Sequence, residues 1–342
     1  MKESKRIVFL FPGQGAQYPG MGLDMADASA GAREVFAAAS DIMGLDMAAL
    51  IRNSDAETLK RTDISQPAIS AVSLAAAVFL KERGIVPAAC AGFSLGEYPA
   101  LACASVISME NCFRLTKARG RAMREAVDHI TDRVTRNAAG GAENSVEDGE
   151  AETAPGMAAV LGLSPERVEA LIAEWKDGKK SPLEDLYPAN INSPKQTVVS
   201  GSAAALGEAK KRFMEAGARR VLRLAVAGPF HSPFMKEAAE TFAPVLEQTA
   251  FADPAIPLFS NVTGGQVHTG AEAKSLALRQ IVEGVRWTAE EKALAERKPG
   301  AVLETGPGSV LQGLWRDTGS EIPAYGAGTV KEIMEFFSAY SA

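Results

Sequence analysis

The pentapeptide Gly92-Phe93-Ser94-Leu95-Gly96 follows the apolar run Ala89-Cys90-Ala91 and precedes an alanine-rich, helix-prone stretch. Strand, sharp turn, serine at the tip and helix together make the layout of a nucleophile elbow. Side chains two before and two after the serine would collide in so tight a turn, which is what the two glycines avoid. The following helix would aim its free N–H groups and positive dipole end at the turn, where an oxyanion beside Ser94 would be stabilised. The bare pattern also fits an ordinary glycine-bearing turn; the strand–turn–helix setting is what points to chemistry. A serine nucleophile needs a base. The chain has three histidines. His129 borders a polar stretch and His268 lies in a glycine-bearing turn region, so both are expected to face solvent. His231 stands between phenylalanines and prolines at the end of an extended segment. It is the histidine placed to serve Ser94, with a satisfied core histidine as the alternative.

A second residue asks for a charged partner. Residues 109–127 have helical periodicity: Cys112, Leu115, Ala122, Met123 and Ala126 fall on one face and Arg114, Lys117, Arg121, Arg124 and Glu125 on the other. Arg119 falls on the apolar face. A guanidinium cannot lose its charge there, so it needs a carboxylate or phosphate, or a route to water. It is either a structural ion pair, a snorkelling side chain, or a bidentate clamp for an anionic substrate.

The glycine-rich loop Pro12-Gly13-Gln14-Gly15 follows a buried-strand pattern, Ile7-Val8-Phe9-Leu10-Phe11. It lacks a Gly-Lys-Ser/Thr ending and a clean Gly-x-Gly-x-x-Gly, so it is not read as a phosphate cradle. It is read as a loop whose backbone approaches a reacting centre, with Gln14 offering an N–H.

Composition narrows the class. The 342 residues are 46% hydrophobic and 23% charged, enough to bury a full core. A net charge of −6 argues against nucleic acid or an anionic membrane as partner. The three cysteines, Cys90, Cys103 and Cys112, sit in apolar or helical surroundings and read as small buried hydrophobes. The apolar run near the start is too short for a signal or membrane segment, so a cytoplasmic location is expected.

Alternating strand and helix patterns predict an α/β fold with a parallel sheet. A long helix is expected over 68–82, opened by Ser65-Gln66-Pro67, and strands over 85–91, 257–262 and 301–304. Residues 157–226 read as strand-helix-strand-strand-helix-strand, which suits a ferredoxin-like unit. The expected organisation is a hydrolase-like large subdomain from 1–127 and 227–342, a flexible polar insertion over 128–155, and a ferredoxin-like small subdomain inserted over 156–226.

Taken in order, these segments resemble the malonyl-CoA:acyl carrier protein transacylase family. The resemblance rests on Phe11-Pro12-Gly13-Gln14-Gly15, the Ser94 elbow with Glu97-Tyr98, and Arg119-Gly120. It continues through Ala189-Asn190-Ile191-Asn192-Ser193-Pro194, Phe230-His231-Ser232, Arg279-Gln280 and Glu304-Thr305-Gly306-Pro307-Gly308. It implies that Ser94 carries a malonyl ester and that His231 shuttles the proton. The N–H groups of Gln14 and Leu95 would form the oxyanion hole, and Arg119 would bind the malonyl carboxylate. A backbone carbonyl near Gln280 would orient the histidine. Phe230 resembles the malonyl-selecting form, and Asn192 would help bind substrate. Malonyl-CoA would be the donor and the phosphopantetheine thiol of an acyl carrier protein the acceptor, supplying fatty acid synthesis, with no cofactor and no metal. A monomer is expected.

Two departures stand out. The residue before the nucleophile, commonly histidine in that family, is Phe93, and 128–155 is longer than the usual connection. Two other classes remain open on the residues: a serine esterase or thioesterase, to which Arg119 is superfluous, and a catalytically silent carrier-binding protein. Lys210-Lys211-Arg212 and Arg219-Arg220 are candidate docking sites for an acidic carrier.

Overall fold

The computed structural model describes residues 6–139, 154–176 and 181–341. Two sheets organise it. The larger holds β1 (Ile7–Phe11) and β2 (Ala89–Gly92). The smaller holds β3 (Gly156–Leu161), β4 (Leu186–Ser193), β5 (Gln196–Gly201) and β6 (Arg220–Arg223). The chain then returns to the larger sheet with β7 (Leu258–Phe259), β8 (Gln266–Val267), β9 (Ala301–Glu304) and β10 (Ala324–Gly326).

The large sheet runs β10-β9-β1-β2-β7-β8. All its pairings are parallel except the edge pair β7–β8. β1, β2 and β9 are buried along their whole length, which is why they read as continuous apolar runs rather than alternating ones. In such a sheet the reacting groups collect beyond the carboxyl ends of the strands, and both the Gln14 loop and the Ser94 elbow leave there.

The small sheet is antiparallel, ordered β4-β5-β3-β6 with helices Pro165–Lys176 and Ala203–Glu215 between its strands, which is the ferredoxin-like arrangement expected. Two backbone bonds help fasten it to the large subdomain: Ile191 N–H donates to the Val285 carbonyl and Val285 N–H to the Ala189 carbonyl, both at 2.8 Å.

The structure corrects several boundaries. The core helix begins at Thr62, so Pro67 lies inside it rather than at its mouth. Thr62–Glu82 is long and apolar enough to cross a membrane, but its sides are buried against the helices Ala30–Met43 and Met109–Ala139. The second correction concerns 128–155. The helix expected to stop at Val127 continues to Ala139. Val127 and Ile130 extend its buried stripe. Arg124–Asp128 and Asp132–Arg136 add pairs one turn apart, and His129 and Arg133 reach Glu237 on the helix Lys236–Glu247. Residues 140–153 of that stretch lie outside the described residues. The expected strand at 257–262 shrinks to two residues, after which Ser260 and Asn261 turn into the site. The helices Lys236–Glu247 and Trp287–Glu296 had no counterpart in the sequence reading.

The two elbow glycines are required by different neighbours. A Cβ on Gly92 would overlap the Gly96 carbonyl, as the sequence suggested, whereas one on Gly96 would overlap the Phe11 carbonyl at the end of β1. Both obstacles are backbone and cannot swing away. Gly96→Ala should therefore cost about 3 kcal/mol or more, read as a lowered midpoint in urea unfolding; a loss under about 1 kcal/mol would show that the strand end can yield.

Candidate active site

Ser94 heads a short turn, Ser94–Gly96, that runs directly into the helix Glu97–Cys103. Phe93 N–H donates to the Phe11 carbonyl at 2.9 Å, which ties the elbow to the end of β1. Ser94 has φ 51°, a left-handed value that is strained for a residue with a side chain. That conformation lifts Oγ off the sheet and into a cleft of about 700 Å³ between the two subdomains.

His231 meets it from across the cleft. Its Nε2 lies 2.7 Å from Ser94 Oγ. Its Nδ1 lies 2.8 Å from the Gln280 carbonyl oxygen. A carbonyl only accepts, so Nδ1 carries the proton and Nε2 turns its lone pair to the serine. Gln280 caps the helix Gly270–Arg279, and a helix's last carbonyls have no partner within the helix. The free carbonyl and the negative end of the helix dipole thus stand where an acid stands in other dyads. His231 is itself left-handed at φ 55°. Its loop is pinned to the small sheet, because Ser200 Oγ on β5 donates to the Phe230 carbonyl at 2.5 Å.

Opposing effects act on the imidazole. Burial and the nearby Arg119 charge push its pKa down, while the bond to Gln280 pushes it up; burial wins, and the value falls from 6.5 to about 4. His231 is therefore neutral, and able to take a proton, throughout the physiological range.

Arg119 is 1% exposed. Its guanidinium donates to Gln280 Oε1 at 3.0 Å and reaches Ser94 Oγ at 3.4 Å, while Nε has no partner. Among the described residues no carboxylate lies within ion-pair distance of it. The ion-pair and snorkelling explanations therefore both fail. Tyr98 offers its ring face at 5.4 Å, a weak substitute for a counter-charge. Burial lowers the guanidinium's pKa, but arginine stays charged in proteins.

The remaining expected residues gather around the same cleft. Gln14, Asn192 and Phe230 line it. Gly13 lets the Gln14 loop close on the elbow, since a Cβ there would sit 2.6 Å from the Phe93 carbonyl oxygen. Leu95 is the second residue of the turn, where N–H groups have no acceptor within the helix. Asn192 donates through Nδ2 to Gln196 at 2.9 Å, leaving Oδ1 without a partner. Phe93 packs edge-on against Trp287, ring centroids 5.4 Å apart, as part of the cleft wall. His129 and His268 are exposed, as expected.

The sequence reading missed Asn261, which touches the elbow from β7, and the side chain of Gln280. Gln280 Nε2 lies 2.9 Å from the Ser94 carbonyl and 2.7 Å from Glu97 Oε2. A polar pair closing a parallel strand, Ser260-Asn261, was the available signal.

The family described as an acyl transferase domain matches residues 8–168 and 137–334. A malonyl CoA-acyl carrier protein transacylase of Haemophilus influenzae is 34% identical over 334 residues, covering 97% of both chains. That of Escherichia coli K12 is 35% identical, covering 90% of this chain and 91% of its own. An acyl carrier protein S-malonyltransferase from Vibrio cholerae superposes with a TM-score of 0.83 at 32% identity, over 96% of this chain and 99% of that one. A malonyl-transacylase solved in complex with its type II polyketide acyl-carrier protein gives 0.83 at 33% identity, over 98% and 99%. The chain belongs to the malonyl-CoA:acyl carrier protein transacylase family. It is an α/β acyltransferase of that family with Phe93 before Ser94.

For this transacylase-family site the depressed imidazole pKa has a direct readout. The rate at which Ser94 reacts with a fluorophosphonate should stay level as pH falls from about 8 to about 5 and halve only near 4. Halving near 6.5, the ordinary histidine value, would show that the cleft does not desolvate the base.

Proposed function

We propose that this protein moves a malonyl group from malonyl-CoA to Ser94 and then to the phosphopantetheine thiol of an acyl carrier protein, as in fatty acid synthesis. The observation that carries the reading is the buried, charged Arg119 with no carboxylate partner, 3.4 Å from the nucleophile's Oγ. A site that keeps an unpaired cation beside its nucleophile is made for an acyl group ending in an anion.

In this reading each step has its own residue. As Ser94 Oγ attacks the thioester carbon, its proton passes to His231 Nε2. The carbonyl oxygen takes up negative charge between the N–H groups of Leu95 and Gln14. A preorganised donor of this kind is worth about 3 kcal/mol. The carbon–sulfur bond then breaks and the coenzyme A thiolate takes the proton from His231, leaving a malonyl ester. The second half reverses the roles: the carrier's thiol gives its proton to His231, its sulfur attacks the ester, and Ser94 leaves with the proton. Protons and charges balance with no cofactor beyond the pantetheine thiols. Throughout, Arg119 turns from Gln280 to the malonyl carboxylate, a bidentate fit for its planar fork. Phe230 and Asn192 bound the acyl chamber.

The carrier approaches the open cleft. Arg219 and Arg220 are exposed at the start of β6, whose continuation through Leu224 and Val226 lines the cleft. Lys210 and Lys211 are exposed on the adjoining helix, whereas Arg212 is occupied by Glu208 and Trp175. The arginine pair is thus the better placed of the two clusters for an acidic partner.

Two measurements test the reading. Incubation with malonyl-CoA should give an adduct of malonyl mass on the intact protein, absent in Ser94→Ala; free malonate released with no adduct would instead indicate a thioesterase. Arg119→Ala should lower malonyl transfer about 100-fold while changing acetyl transfer less than about threefold, because acetyl offers no carboxylate. Equal losses would make Arg119 a structural residue.

A further inference from the structure

One fully buried polar residue touches the elbow and has no part in the steps above. Asn261 follows β7, and its side-chain orientation is fixed by what it faces. The Ser94 N–H can only donate, so the atom 2.7 Å from it is Oδ1. The Gly92 carbonyl can only accept, so the atom 2.7 Å from it is Nδ2. The other Nδ2 hydrogen points to Glu290 Oε1 at 2.8 Å, on the helix Trp287–Glu296. Asn261's own N–H donates to Glu97 Oε2 at 3.1 Å.

One amide therefore bridges the nucleophile and the residue two before it. β2 pairs with β7 through a single register pair, Cys90 with Leu258, and β7 ends at Phe259. Past that point the neighbouring strand can no longer pair with the chain entering the elbow. Asn261 supplies one acceptor and one donor in its place. The need is acute, because Ser94 holds a strained φ and a buried N–H left unpaired would add to the strain.

We infer that Asn261 is a positioning residue for acyl transfer: its amide, accepting from the Ser94 N–H and donating to the Gly92 carbonyl, holds the nucleophile in its left-handed conformation at hydrogen-bonding distance from His231. The inference rests on Ser94 being the acyl carrier, as proposed above. The groups facing the amide are the elbow helix's Glu97, the Trp287–Glu296 helix's Glu290, and Gln280, whose Nε2 lies 3.1 Å from Oδ1. Glu291 and Arg119 lie behind these as the next charges. Burial, reinforced by Glu97, holds the Glu290 carboxyl well above the usual carboxylate range.

The experiment compares wild type, Asn261→Ala and Asn261→Asp in malonyl transfer and in labelling of Ser94 by a fluorophosphonate. Misplacing a nucleophile by about 1 Å costs about 100-fold. Asn261→Ala should lose about that factor in kcat with KM for malonyl-CoA within about threefold. In Asn261→Asp the new side chain can donate to the Gly92 carbonyl only while protonated. Its kcat and labelling rate should climb as pH falls from about 9 to about 5, a range in which wild type and the alanine variant stay level. Should the alanine variant fail to fold, the aspartate profile alone decides. An unchanged kcat in Asn261→Ala, or an aspartate profile parallel to wild type, would overturn the inference. If wild type labels at Ser94 but transfers no malonyl, the functional reading fails, while the labelling rates still judge Asn261.

Discussion

Gln280 at the end of the helix Gly270–Arg279 holds the three reacting side chains in one frame. Its carbonyl fixes the His231 tautomer, its Oε1 receives Arg119, and its Nε2 lies within hydrogen-bonding distance of the Ser94 carbonyl and Glu97. His231, Arg119 and Ser94 come from a loop leaving the small subdomain, the middle of a long helix, and a turn after β2. No pair of them is near in sequence. Because one residue touches all three, a shift of that helix end would misplace every reacting group at once, which makes the end of a helix the reference point of the site.

Burial then settles the charge state of everything around that point. It keeps the imidazole neutral despite a carbonyl partner that favours its charged form. It raises Glu97 to about 7 even though backbone and side-chain donors and the Arg119 charge all pull the other way. Glu290 and Glu304 are pushed up by the same cause. Arginine alone cannot respond by losing its proton, so Arg119 keeps a buried positive charge beside Ser94 with no carboxylate within ion-pair distance among the described residues. On the proposed activity, a substrate carboxylate would complete that arrangement.

Much of this was legible beforehand because the decisive residues break local rules. A serine between glycines after an apolar run, an arginine on an apolar helix face and a histidine flanked by Phe230 and Pro233 each stand out against their neighbours. Hydrophobic patterning also pointed to the two-sheet organisation, since β1 is a uniform apolar run and the small unit reads as strand-helix-strand-strand-helix-strand. What stayed hidden depends on contacts rather than patterns. Nothing near Asn261 in sequence announces the Ser94 N–H it will meet. The helix to Ala139 is sustained partly by Glu237, a partner on another element that periodicity cannot supply. Pro67 looked like a helix opener because proline favours first turns, yet the surrounding packing carries the helix through it.

The bonds between Val285 and the strand β4 bear on how, under the proposed function, two very different substrates would share Ser94. They join the two subdomains, and the Ser200–Phe230 bond ties the histidine's loop to the same small sheet. A hinge between the subdomains would drag His231 away from Ser94. On the proposed activity, coenzyme A and a carrier protein differ greatly in bulk, but both would reach Ser94 through the same slender pantetheine arm. A slot held in this way would admit either cargo in turn without moving the imidazole from the serine, so the two would be told apart at the doorway while the workshop behind it stays as it is.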